Sequence, residues 1–279
     1  MLITNDVALI TFVPFAIMAL KLCGQQKQTI RVVVLQTIAA NLGSMATPIG
    51  NPQNLYLFSV SGMSVGAVFR AMLPLTLLSL GLILLVMLTF PREPVRMAIP
   101  DSKVAMPRRE LIVYSALFAL NLLVVLRVLP WGAALVITVA GVLALKQAKL
   151  LKQVDYALLL TFVGFFVFVG NLGRVESISV WLQTALEGRE TLLAALMSQA
   201  LSNVPASLLL SGFTQNYAAL LAGVNIGGLG TLIASMASLI SYKLYAAEPG
   251  AQKGRYLLVF TAYNVAGLAI LLAFQLLIA

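Results

Sequence analysis

The sequence predicts an all-α polytopic membrane protein made of two inverted-topology repeats, each with a re-entrant hairpin and a broken helix. Three observations predict it. Only 10% of the 279 residues are charged and the mean hydropathy is +0.99, whereas a soluble domain carries charge at about a quarter of its positions. Apolar runs such as residues 71–90, AMLPLTLLSLGLILLVMLTF, are long enough to cross a hydrocarbon core about 30 Å thick. Two apolar segments also break alike: NLGSMATPIG at 41–50 aligns with NIGGLGTLIA at 225–234, with Asn, Gly, Thr and Ile at shared offsets.

The elements follow in order. A polar tip, TND at 4–6, opens the apolar segment 7–20, read as the returning arm of a hairpin. Segment 30–60 is interrupted at 41–54, where two prolines, two glycines and three asparagines sit among apolar residues. A backbone broken in lipid exposes N–H and C=O groups that hydrocarbon cannot bond, so the break must face protein, water or a ligand. Segment 66–90 completes the partial first repeat, 1–90, and the prolines and mixed charge of 91–108 mark a solvated cytoplasmic linker. The second repeat, 109–279, holds spans at 109–128, 130–146 and 154–170. After these come an interfacial amphipathic helix at 174–190 with Trp181 at headgroup level, a hairpin at 190–212 with the tip SNVPAS at 202–207, a broken helix at 216–245 and a final helix at 253–278.

Treating 190–212 as entering and leaving on one side places fourteen of the eighteen Lys and Arg residues on one face of the membrane. The positive-inside rule makes that face cytoplasmic. The net charge of +9 therefore reads as an orientation signal, and nucleic-acid binding is excluded as its explanation because the bases lie in short connections between apolar runs. The absence of histidine removes histidine metal sites and general bases, and a single cysteine, Cys23, rules out an internal disulfide. GMSVG at 62–66 matches the nucleophile pattern of serine hydrolases but has no histidine to serve it. No P-loop occurs. The chain is not expected to be an enzyme, and no cofactor is expected.

Inverted repeats with discontinuous helices are characteristic of secondary transporters, whose substrates and coupling ions bind near the bilayer midplane. Half-helix N-termini offer N–H groups to an anion and C-terminal ends offer carbonyls to a cation. Asn, Ser and Thr add neutral donors and acceptors without burying a charge. The candidate binding residues are accordingly Thr4, Asn5 and Asp6 at the first tip and Asn41, Gly43, Thr47, Gly50, Asn51 and Asn54 at the first break. At the second tip they are Ser202 and Asn203, and at the second break Asn225, Gly227, Gly228, Thr231 and Ser235. Asp6 is the acidic residue at membrane depth, expensive to keep there and so a functional candidate; Na⁺ at Asn5, Asp6 and Asn41, or H⁺ on Asp6, is the expected coupling ion. Asn121, Asn171 and Asn264 are expected to bond between helices, and Gly223 with Gly227 to serve the break rather than dimerisation.

The stretches TNDVALITFVPF, NLGSMATPIGNPQN, SNVPAS and NIGGLGTLIAS resemble the hairpin-tip and broken-helix motifs of the ion transporter superfamily. The resemblance is to the branch holding arsenite/antimonite permeases, sodium/proton antiporters and citrate transporter-like or divalent-anion permeases. It implies an inner-membrane permease for a small inorganic or organic anion, coupled to H⁺ or Na⁺, embedded in the lipid bilayer, with a homodimer left open. The alternatives are a sodium/proton antiporter of the same fold and a channel-like or non-transporting fragment. The first repeat has no counterpart of the three spans that open the second, so internal symmetry expects about 90–100 residues ahead of Asn5. An N-terminally truncated first repeat would need a separate polypeptide to supply those helices.

Overall fold

The computed structural model describes residues 4–91, 107–154 and 156–278; the linker expected at 91–108 falls, apart from its ends, outside them. Among the described residues the chain is helical and has no strand. The helices are α1 (Asn5–Leu22), α2 (Thr29–Ser44), α3 (Pro52–Ser61), α4 (Val65–Met87), α5 (Arg108–Val125), α6 (Trp131–Ala144), α7 (Lys149–Lys152), α8 (Tyr156–Leu172), α9 (Glu176–Leu186), α10 (Glu190–Leu201), α11 (Asn203–Ser211), α12 (Tyr217–Ile226), α13 (Met236–Ala246) and α14 (Lys253–Ile278). Among the described residues α1, α4 and α14 are each long and apolar enough to cross a membrane unaided.

The side-chain distribution is that of a protein solvated by lipid. Leu77, Leu80, Leu84 and Leu85 on α4 and Leu258 and Leu277 on α14 are more than half exposed, whereas Thr37, Asn41, Asn51, Asn225, Ser238 and Asn264 are buried. Apolar side chains outside and amides inside are stable when the solvent is hydrocarbon, because lipid tails are as apolar as leucine and only the interior can satisfy polar groups. Together with the spans, this makes the chain an all-α polytopic membrane protein.

Two compact bodies form. One comprises residues 107–154 and 156–164, within the unit 98–164. In it α5 and α6 are joined by the Asn121 amide donating to Thr138 Oγ1 at 3.1 Å and packed with Leu117 against Gly141. Asn121 is thus the interhelical bond expected of it. Asn171 and Asn264 are not, for each donates to the carbonyl four residues earlier in its own helix, Val167 and Phe260.

The other body contains residues 4–91 and 165–278. Its elements pair reciprocally: α1 packs on α2 and α13, while α11 packs on α12 and α3; α4 packs on α2 and α12, while α14 packs on α12 and α2. α10 and α11 break at Ser202, which takes φ 74°, and pack on each other. α9 leaves α8 at 101°, and its Trp181 is two-thirds exposed.

The Gly223–Gly227 pair is where α12 crosses α10. A Cβ on Gly223 would lie 2.5 Å from the Thr191 carbonyl oxygen, and one on Gly227 2.8 Å from Ala195 Cα. The pair serves this helix crossing; Gly227 also serves the break, as expected, its carbonyl meeting Gln199, whereas Gly223 lies inside α12. Small residues let two backbones approach where lipid gives no hydrophobic drive to association.

Candidate functional site

The first break spans residues 45–51. Pro48 supplies the fixed φ of a tight turn in which the Gly50 N–H donates to the Thr47 carbonyl at 3.2 Å. Gly50 has no substitute, since a Cβ there would stand 1.9 Å from the Ser44 carbonyl oxygen. Asn51 then caps α3: its Oδ1 accepts from the Asn54 N–H at 2.9 Å, with Pro52 at the first helical position. Asn54 turns back and donates its amide to the carbonyls of Met45 and Thr47 at 3.2 and 3.0 Å, so the carbonyls orphaned at the end of α2 are met by a side chain.

The second break, 227–235, is built differently. Ser235 caps α13 through the Ala237 N–H at 3.2 Å, but the open backbone is filled by Gln199 of α10. Its amide nitrogen lies 2.9 and 3.0 Å from the carbonyl oxygens of Gly227 and Leu229, and its oxygen accepts from the Thr231 N–H at 2.9 Å. Gly230, at φ 102°, passes so close that a Cβ would collide with Gln199 Oε1.

The two breaks are bonded to each other. Asn41, near the end of α2, accepts at Oδ1 from Ser235 Oγ at 3.0 Å, the cap of the other broken helix. Asn225, near the end of α12, accepts at Oδ1 from Asn51 Nδ2 at 3.0 Å, again the cap of the other. Asn225 also donates to Asn54 Oδ1 at 2.7 Å, and Asn51 donates to Ser44 Oγ at 2.9 Å. Asn5 joins from the first tip, donating to Asn41 Oδ1 at 3.2 Å while its own N–H donates to the Gly50 carbonyl at 3.1 Å. Asn5, Asn41, Asn51, Asn54, Asn225 and Ser235 are all no more than 4% exposed. The N-termini of α3 and α13, each with the partial positive charge of a helix start, therefore share one buried network of neutral amides and hydroxyls.

A sequence profile described as "Citrate transporter" matches residues 1–238. The chain belongs to the citrate transporter family. It is 35% identical over 274 residues to an uncharacterized transporter of Methanocaldococcus jannaschii, covering 98% of this chain and 74% of that protein. It is 34% identical over 265 residues to the inner membrane protein YbiR of Escherichia coli, covering 87% of this chain and 65% of that protein. The chain thus spans about two thirds to three quarters of the length of these relatives.

The remaining candidates of this citrate transporter family member divide. Gly228 belongs to the network through its carbonyl, 3.5 Å from Asn41 Nδ2. Asn203 is 3% exposed with its amide against Gly228, yet among the described residues its side chain makes no hydrogen bond. Ser202 Oγ reaches only the Ala234 carbonyl, at 3.5 Å. Thr231 is exposed and spends its hydroxyl on the Gln199 carbonyl. Thr47 contributes its carbonyl, Thr4 receives the Ala8 N–H at its carbonyl, and Gly43 lies half-buried within α2. Gly227 meets Gln199 through its carbonyl. Asp6 is half-buried, and its Oδ1 makes no hydrogen bond among the described residues. Groups of three or more Asp, Glu, Cys or His able to hold a metal are absent among the described residues.

Sequence reasoning missed five participants, among them Ser44, whose Oγ accepts from Asn51 Nδ2. Ser238 and Ser241 continue from Ser235 at three-residue spacing along α13, and Thr37 lies one turn before Asn41; Thr37 Oγ1 donates to Ser241 Oγ at 2.7 Å. That polar stripe at helical spacing in apolar helices was a signal that could have found them. Gln199 carried none, because its partners lie 28 to 32 residues away.

Proposed function

We propose that the protein is a secondary active permease of the inner membrane that moves a small inorganic or organic anion, coupled to H⁺ or Na⁺. The observation that carries this reading is the reciprocal bridging of Asn41 to Ser235 and Asn51 to Asn225. It fits two repeats of opposite topology meeting at one site, the arrangement that lets one half rock against the other around a fixed substrate. Both half-helices that start at the network bring N–H groups and a positive dipole end, which favours an anion. Membership of a family named for citrate supports a carboxylate or oxyanion substrate, and the inner-membrane relative supports the location.

The substrate must displace bonds that the asparagines now make with one another. Neutral amides suit that exchange, since each can turn between a neighbour and a ligand without a buried charge being left uncompensated. Asn203, buried and with no hydrogen-bond partner among the described residues, is the amide ready to receive substrate. Asp6, with one carboxylate oxygen unpaired among the described residues, takes the coupling H⁺, or Na⁺ together with Asn5 and Asn41.

The test is uptake of radiolabelled citrate, sulfate and arsenite into proteoliposomes under imposed Na⁺ and pH gradients. Saturable, gradient-driven uptake is expected. Asn203→Ala should abolish it without lowering expression, and Asp6→Asn should remove its gradient dependence, while Asn121→Ala leaves it unchanged. A non-saturable conductance that follows voltage alone would make the protein a channel.

A further inference from the structure

At the membrane end rich in Lys and Arg, a cavity of about 290 Å³ opens between the end of α1, the turn before α2 and the connection from α13 to α14. Three cations line it, Lys21, Lys27 and Arg255, against one carboxylate, Glu248. Glu248 is consumed by an ion pair with Lys21. Among the described residues Lys27 makes no ion pair, and Arg255 bonds only the Gln252 side chain, at 3.4 Å. The cavity thus carries uncompensated positive charge, and the side-chain amides of Gln26 and Gln252 stand in its wall.

The walls hold their shape without a ligand. Tyr245 is buried and stacks on Tyr256 with ring centroids 4.9 Å apart, and its hydroxyl accepts from the Gln252 N–H at 3.1 Å. Gly250 at φ 77° and Gly24 at φ 68° make the turns on the two sides, and the Lys21–Glu248 pair ties one side to the other. A preformed site spares a ligand part of the ordering cost of binding.

We propose that this cavity binds the phosphate of an anionic phospholipid headgroup. Arginine presents a fork matched to phosphate oxygens and lysine a point charge beside it. A cavity of about 290 Å³ has room for a phosphate with its glycerol, more than a simple halide needs. Its height argues for lipid over a soluble anion. α1 ends at Leu22 and α14 begins at Lys253, so the cavity sits where two apolar helices meet water. Met18, Leu22 and Leu258, each within a turn of a lining cation, are more than half exposed, giving acyl chains an apolar surface directly below the charge. Ile17 and Ile30 form an apolar floor that a glycerol backbone can cover.

The full chain in neutral detergent, titrated with phosphatidylglycerol, phosphatidylcholine or inorganic phosphate and examined by native mass spectrometry, tests this. One phosphatidylglycerol should bind in preference to phosphatidylcholine. Lys27→Gln and Arg255→Gln should each weaken it about fivefold and together about thirtyfold, at about 1 kcal/mol per surface cation. Glu248→Gln should tighten it by removing the carboxylate and freeing Lys21. Arg70→Gln, at an exposed cation far along the chain, should change nothing. Full affinity in the double variant, or an equal loss with Arg70→Gln, would overturn the site. Displacement of the lipid by inorganic phosphate at equal concentration would assign the cavity to a soluble anion and overturn the lipid.

Discussion

The two breaks answer the same physical problem, carbonyls orphaned where a helix stops in lipid, with different residues. At 45–51 the answer is local: Asn54 closes the carbonyls of Met45 and Thr47 from within nine residues, and Gly50 folds onto Ser44. At 227–235 it is borrowed, with Gln199 reaching in from α10 across 28 to 32 residues. The tips differ as well. Asn5 is bonded to Asn41, while Asn203 stands without a partner among the described residues. The first break is therefore self-supporting, whereas the backbone of the second stays satisfied only while the α10–α11 hairpin is in place. Loss of Gln199 from that position would uncover the carbonyls of Gly227 and Leu229, so the polar groups of the second break depend on α10.

Three pairs of substitutions would break or sharpen this contrast. The largest effect is expected from Gly50→Ala. The atom that a Cβ would strike is backbone, so the turn must open and the Asn5 tip lose its anchor; a loss of about 3 kcal/mol or more and failure to purify as a monodisperse species is expected on size exclusion. Gly230→Ala meets only the end of the Gln199 side chain, beside a strained φ, and should be the milder of the two. If both are equally tolerated, the first break is not the rigid one.

Next comes Gln199→Ala, which leaves the buried carbonyls of Gly227 and Leu229 without that partner and the exposed Thr231 N–H to solvent, at about 1–3 kcal/mol for a buried group so stranded. Hydrogen exchange should rise at residues 227–231 and stay unchanged at 45–51. Asn54→Ala should give the reverse pattern, with some loss at Asn225, its second partner. Exchange spreading through both breaks from either variant would mean that they open together.

The smallest effect is expected at the tips. Asn5→Ala should cost about 1 kcal/mol for its lost bonds, and Asn203→Ala close to nothing in thermal unfolding, although uptake is lost in the latter. Equal destabilisation by the two would show that Asn203 has a structural partner and remove the contrast between the tips.

Much of the architecture was legible beforehand because membrane helices obey a simple rule: hydrocarbon forces every backbone group into a helix, so an apolar run of adequate length declares itself and a polar interruption declares a break. α4, α14, the interruptions at 41–54 and 225–234, the turn at Ser202 and a separate helix at α9 were visible on that ground. The alignment of Asn41 with Asn225 marked both as equivalent, and tertiary structure gave them equivalent partners, each bonding the cap of the opposite broken helix.

Partner choice was another matter. Asn171, Asn264 and Asn121 look alike as single amides in apolar helices, and only the presence of Thr138 opposite Asn121 made one of them interhelical. Gly223 and Gly227 read as part of a break, but both lie against α10 and only Gly227 also belongs to the break. Gln199 looked like any polar residue in a hairpin arm. By itself the sequence determined where the chain must be helical and where it must stop, since those follow from each segment's own exchange between water and lipid. Only the tertiary structure decided which side chain fills which gap, because a hydrogen bond depends on ångström-scale distances between residues that sequence spacing does not bring together.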